Sequence, residues 1–104
     1  LNLHSVWDGL LAERAITSGP DIVRTYSRKD RAALGGGTVQ DWGKDSWELA
    51  KTVYADLNGG DTCKPITGRV AISEAMIEKW VPEARTQVIK GGLRLARLLD
   101  EALG

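Results

Sequence analysis

The stretch VPEARTQVIKGGLRLARLLDEAL, residues 81–103, decides the fold. Its apolar and small side chains recur at spacings of three and four, at Val81, Ala84, Val88, Gly92, Leu95, Leu99 and Ala102. That period predicts a long amphipathic helix with one buried stripe. Gly91 and Gly92 lie inside it, where each costs about 1 kcal/mol relative to Ala. We therefore expect another helix to pack closely against the backbone at these two glycines.

The residues before this stretch predict a further helix that begins after a serine. Ser73 is a good N-cap, and Ala75, Met76, Ile77 and Trp80 follow it at helical spacing. Pro82 then removes a backbone donor inside the pattern. We predict a break near Val81.

Helical periods also account for the first half of the chain. A first helix is predicted from Leu3 to Thr17, where Ser-Gly-Pro ends it, and a third from Val39 or Gln40 to about Leu57. Between them we predict a second helix from Pro20 to the glycines at 35–37, with charged residues in its middle. Its expected buried side consists of Ile22, Val23, Tyr26, Ala33 and Leu34.

Asn58 to Arg69 is rich in turn residues and reads as a surface loop. No segment reads as a strand. Four to five helices joined by short loops predict an all-α, bundle-like fold. The 104 residues suit a single helical unit.

The composition restricts the kinds of ligand and environment that the chain can have. Fourteen basic and fourteen acidic residues cancel, so any contact with nucleic acid would have to be local. No apolar run approaches the roughly 20 residues of a membrane span. Of the four tryptophans we expect most in the core, and one or two are candidates for stacking on bases.

The only histidine, His4, precedes Asp8 by four residues, which places both side chains on one face of the first helix. An imidazole nitrogen beside a carboxylate oxygen is half of a zinc site, because zinc takes at least three protein ligands. An ordinary surface ion pair has the same spacing. No second histidine or cysteine cluster completes a site, and no nucleophilic triad or phosphate-binding glycine loop is present.

The single cysteine, Cys63, lies in the loop and leaves two interpretations open. It is either a loop thiol without a role or one half of a disulfide with another chain or segment.

Three stretches resemble the zinc-dependent class I nucleases, the S1- and P1-type single-strand-specific nucleases. NLHSVWD at 2–8 resembles a signature segment of that family. DWGKDSWELAKTVY at 41–54 and VIKGGLRLARLLDEAL at 88–103 resemble later family segments, although Asp45 replaces the usual Glu and Gly91 the usual Ala. The resemblance spans nearly the whole chain and corresponds to the C-terminal portion of a family member.

The resemblance implies the all-α fold shared with zinc-dependent phospholipase C, with three zinc ions in a cleft. His4 and Asp8 would be ligands of one zinc, with a further histidine from upstream, and no catalytic residue beyond the metal ligands is implied in this chain. The substrates would be single-stranded DNA or RNA, cut to leave 5'-phosphates, and 3'-nucleotides.

The resemblance also implies a secreted or periplasmic enzyme whose N-terminal portion is a partner of this chain. It favours Cys63 as a half-cystine paired with that portion. By itself the chain is expected to be inactive. An alternative is a non-catalytic helical module that lacks the metal-binding half. A phospholipase of the same fold fits the quoted segments less well.

Overall fold

The computed structural model describes residues 2–19, 26–61 and 63–104, and these residues form helices and no strand. We number the helical elements along the chain. They are α1 (Leu3–Ser5), the π-helix π1 (Val6–Leu11), α2 (Ala12–Thr17), α3 (Arg28–Leu34), α4 (Val39–Leu57) and α5 (Glu74–Leu103). The all-α prediction is therefore confirmed.

The chain divides into two compact units, one of Leu1–Gly36 with Lys79–Gly104 and the other of Gly37–Glu78. In the first unit the buried hydrophobic side chains are Val6, Leu11, Ala15, Trp80, Ala84 and Ile89. In the second they are Val53 and Ile77. The prediction that residues 1–104 form a single helical unit stays a prediction.

Two arginines of α5 hold the ends of other helices in the first unit. Arg85 Nη1 donates to the carbonyl of Ala15 at 2.9 Å, and Arg97 Nη1 donates to the carbonyl of Gly35 at 3.0 Å. Both carbonyls lie near helix C-termini, where the last backbone acceptors lack partners within their own helix. The Ala15 carbonyl also accepts from the Ser18 hydroxyl at 3.5 Å. The two guanidinium groups thus link α5 to the ends of α2 and α3.

Several predicted elements are confirmed. A helical segment runs from Leu3 to Thr17, and α4 spans Val39–Leu57 as its period indicated. Irregular structure follows Asn58, and the Ser73 hydroxyl accepts from the N–H of Met76 at 3.2 Å. Each of these boundaries is set by a local hydrogen bond or by turn residues.

The prediction of one helix from Pro20 to the glycines is wrong at Ser27. That residue is extended, with φ −65° and ψ 162°, and its hydroxyl caps α3 by accepting from the N–H of Asp30. A serine hydroxyl that caps a helix stabilises a helix start at that residue in preference to a continuous helix through it. Of the predicted buried side, Ala33 is exposed, and Ile22 and Val23 lie outside the described residues.

The predicted break near Val81 is also wrong, since α5 continues through Pro82. The proline ring removes the N–H that would bond the carbonyl of Glu78, and both residues are exposed, so water can reach that carbonyl. Trp80 and Ala84, on either side of the proline, are both buried in the first unit. Their burial outweighs one missing hydrogen bond.

The close packing predicted at Gly91 and Gly92 is wrong as well, and of the stripe predicted along α5 only Ala84 is buried. Val88, Leu95 and Leu99 are 41%, 59% and 49% exposed. A Cβ atom at Gly91 or Gly92 would meet nothing within 4 Å. The packed side of α5 instead includes the buried Ala84 and Ile89 together with the half-buried Arg85 and Arg97. A hydropathy pattern does not mark arginine as a packed residue.

The start of α4 gives a prediction about pH. The Asp41 carboxylate accepts from the backbone N–H and the hydroxyl of Thr38 at 2.8 and 3.0 Å. The backbone hydrogen bond from Thr38 is the main cause that holds the pKa of Asp41 below its ordinary value. A carboxyl group with a lowered pKa stabilises the fold above its unfolded-state pKa, and that stabilisation is lost as the pH falls through the folded-state pKa.

We therefore expect Asp41→Asn to flatten the acid side of a plot of thermal midpoint against pH, with the variant and the parent converging at the most acidic points. Circular dichroism melts at a series of pH values measure this. The matched control is Asp30→Asn, which sits at the same N3 position of α3. Equal acid-side slopes for Asp41→Asn and the parent would contradict the assignment.

Candidate metal centre

The helix that carries His4 starts at a reciprocal cap. Asn2 Oδ1 accepts from the N–H of Ser5 at 2.8 Å, and Ser5 Oγ accepts from the N–H of Asn2 at 3.1 Å. This capping box satisfies two backbone donors that the first turn would leave unpaired. It fixes the turn on which His4 lies.

Asp8 lies on π1, an element that the sequence analysis did not predict. The N–H of Ala12 donates to the carbonyls of both Gly9 and Trp7, and the bond to Trp7, five residues earlier, is the one typical of a π-helix. The buried residues explain this register, because Val6 and Leu11 are five apart and are 5% and 0% exposed. An α-helical turn would instead bury the residue four after Val6, and that residue, Leu10, is 40% exposed.

The spacing of five between buried residues is the sequence signal for π1. It is hidden because Leu10 and Leu11 are both leucines, so the sequence is equally compatible with an α-helical register. Short π segments inside α-helices are frequent at functional sites. Here the segment includes Asp8, one of the two candidate ligands.

The structure brings together the two predicted ligands. His4 Nε2 and Asp8 Oδ2 are 3.6 Å apart, and their side chains are 85% and 80% exposed. One donor is an imidazole nitrogen and the other a carboxylate oxygen, and both face solvent from one side of the helix. A cation could approach this pair without displacing any packed side chain.

Trp7 lies between the two candidate ligands in the sequence and packs against the core. It is half-buried, and its ring centroid is 5.8 Å from that of Trp80, with 32° between the planes. Tilted pairs at this separation are favourable. Trp80 is 1% exposed, so the ring pair anchors the segment that carries His4 and Asp8.

In the part of the chain that the structure describes, few other side chains are candidates for a metal site or a reactive group. No group of three or more His, Cys, Asp or Glu residues that could hold a metal occurs among residues 2–19, 26–61 and 63–104. Cys63 is an exposed free thiol, and its N–H donates to Asp61 Oδ1 at 2.9 Å in a turn. No helix within the described ranges is long and apolar enough to cross a membrane.

The comparison with protein families agrees with the quoted sequence stretches. A family model described as S1/P1 Nuclease matches residues 1–104. The chain belongs to the S1/P1 nuclease family. Neither the curated proteins nor the solved structures compared with it gave a match.

Membership of the S1/P1 nuclease family places the chain in a lineage of hydrolases that act on nucleic acid. The family is generally zinc-dependent and generally secreted. The family-like stretch at 41–54 forms much of α4, with Trp42 half-buried and Val53 buried. The stretch at 88–103 is the second half of α5.

Proposed function

We propose that the chain is the C-terminal portion of a zinc-dependent nuclease that hydrolyses phosphodiester bonds of single-stranded DNA and RNA to 5'-phosphates and acts on 3'-nucleotides. In this proposal His4 and Asp8 bind one zinc ion. The observation that carries it is the pair of donor atoms 3.6 Å apart in a member of the S1/P1 nuclease family.

The donor atoms fit zinc in chemistry and spacing. Zinc binds imidazole nitrogen and carboxylate oxygen at roughly 2.0–2.2 Å, usually with tetrahedral geometry. Two ligands at a tetrahedral angle are then about 3.4 Å apart. His4 Nε2 and Asp8 Oδ2 are 3.6 Å apart before any adjustment of these exposed side chains.

The role of this chain's residues follows from where they lie. The capping box of Asn2 and Ser5 holds the turn that presents His4, and the buried side of π1 holds the turn that presents Asp8. A zinc ion in such a site would neutralise negative charge on a phosphate and on its leaving oxygen. His4 would supply a neutral donor and Asp8 an anionic one, so the pair would leave a net positive charge on the cation for the phosphate.

Further parts of the proposal lie outside this sequence. Zinc needs at least three protein ligands, so His4 and Asp8 require at least one more. The resemblance to the family implies that this ligand is a histidine and that two more zinc ions are bound, all held by an N-terminal portion of the same enzyme. Cys63 would pair with a cysteine of that portion in a secreted or periplasmic protein. The chain alone is then expected not to cleave single-stranded DNA, and chelator-sensitive cleavage by the 104-residue chain would contradict this part.

Zinc titration of the chain tests the site directly. His4 is the only histidine, so the imidazole proton signals in an NMR spectrum belong to it without further assignment. We expect these signals to move or broaden as zinc is added. Asp8→Asn should raise the zinc concentration required by at least about 10-fold, the lower end of what the loss of even an outer-shell partner costs.

Glu13→Gln is the matched control, because it removes one exposed negative charge from the same helical segment. It should leave the zinc titration unchanged. If Asp8→Asn and Glu13→Gln titrate alike, Asp8 is not a ligand. If the His4 signals do not respond even to a large excess of zinc, His4 and Asp8 do not bind the ion in this chain.

A further inference from the structure

A surface on α4 carries exposed aromatic and basic side chains in one row. We call it the α4 stripe, and it consists of Lys44, Trp47, Lys51 and Tyr54. Trp47 is 58% exposed and Tyr54 is 47% exposed. These are large apolar side chains left in solvent on a helix whose buried residue, Val53, lies on the other side.

Helical spacing brings the stripe together. Its members are three, four and three residues apart, which places neighbouring side chains one turn above each other. Lys51 Nζ lies 3.9 Å from the centre of the Trp47 ring. Trp47 and Tyr54, seven residues apart, are separated by about 10.5 Å along the helix axis.

The charge of the stripe is positive, although α4 as a whole is acidic. Lys44 and Lys51 are its only ionised members, and the acidic side chains of α4 fall to one side of it at helical rotation. Two acidic residues border it: Glu48, with Oε2 3.0 Å from Lys51 Nζ, and Asp41, whose carboxylate interacts electrostatically with Lys44. The stripe thus combines two aromatic rings with two cations.

We propose that the α4 stripe binds single-stranded nucleic acid, with bases stacking on Trp47 and Tyr54 and phosphates pairing with Lys44 and Lys51. Rings and cations in alternation are what such ligands require, because every base has a face that stacks and every linkage carries a negative charge. The choice of nucleic acid as the occupant rests on the proposed function.

The distance between the Trp47 and Tyr54 rings determines how far apart along a strand the two stacked bases lie. Stacked nucleotides rise about 3.4 Å each along a strand, so a span of about 10.5 Å joins bases roughly three steps apart. Lys51 already covers one face of Trp47, which leaves the opposite face for a base. The carboxylate of Glu48 competes with a phosphate for Lys51.

Binding of a short fluorescein-labelled oligothymidylate, followed by anisotropy in the presence of EDTA, tests the proposal on the full chain. Trp47→Ala and Tyr54→Ala should each weaken binding by roughly 5- to 150-fold, the range for loss of one stacked base. Glu48→Gln should tighten binding. Two phosphate contacts predict a slope of about −1.4 for log affinity against log salt.

Val39→Ala is the control, since Val39 is an exposed apolar residue of the same helix at 69% exposure and lies outside the stripe. The proposal is overturned if the parent chain does not bind the oligonucleotide, if Trp47→Ala and Val39→Ala bind alike, or if a duplex of the same sequence binds as tightly. Because EDTA removes zinc, Asp8→Asn should bind as the parent does. Failure at the stripe and failure at the metal centre are therefore separate results.

Discussion

Replacing Trp80 with alanine is expected to lower the free energy of unfolding by about 3–5 kcal/mol, the cost of removing a large aromatic side chain from a core. Trp80 is 1% exposed and is the largest of the fully buried side chains. The substitution also removes the ring partner of Trp7, whose centroid is 5.8 Å away. Such ring pairs contribute about 0.5–1.5 kcal/mol beyond their buried area.

Urea denaturation followed by far-ultraviolet circular dichroism measures this effect. The control is the same substitution at Trp47, which is 58% exposed and whose ring lies 3.9 Å from Lys51 Nζ. Loss of an exposed cation–π contact costs about 0.5–1 kcal/mol. Equal losses for Trp80→Ala and Trp47→Ala would show that burial in the first unit does not determine the result.

Replacing Leu11 with alanine is expected to cost about 2–5 kcal/mol. Leu11 is 0% exposed, and it is the buried residue that fixes the register of π1. Leu10→Ala is an unusually close control, because it makes the same chemical change one residue earlier at a side chain that is 40% exposed. We expect it to cost roughly 1 kcal/mol or less.

The same pair of variants probes the metal centre. If the burial of Leu11 holds the turn that presents Asp8, Leu11→Ala should weaken the response of the His4 NMR signals to zinc under conditions where the variant is still folded. Leu10→Ala should not. A reversed order, with Leu10→Ala the more damaging to stability, would mean that the segment is a regular α-helix.

The parts of the fold that the sequence predicted are those decided locally. The cap that Ser73 forms on the N–H of Met76 joins residues three apart, so neighbouring residues suffice to identify it. The spacing of apolar residues in α4 likewise predicted a helix without reference to contacts elsewhere in the chain. In the metal centre, the spacing of His4 and Asp8 was enough to predict that they meet, because one helix presents both.

The parts that it did not predict depend on distant contacts. Whether Pro82 interrupts α5 is decided by the burial of Trp80 and Ala84, not by the proline alone. The packed side of α5 could not be read from hydropathy, because Arg85 and Arg97 bond carbonyls 70 and 62 residues away. Which of the two leucines of π1, Leu10 or Leu11, is buried depends in the same way on contacts with residues distant in the sequence.

The Trp7–Trp80 pair should have a spectroscopic signature in addition to its role in packing. Two indole rings held 5.8 Å apart have coupled excited states, so the pair should give a circular dichroism band of its own. Trp7 lies between His4 and Asp8 in the sequence, so this band arises next to the proposed ligands. We therefore expect a rearrangement of the segment that carries His4 and Asp8 to change this band, which can be followed without attaching a dye.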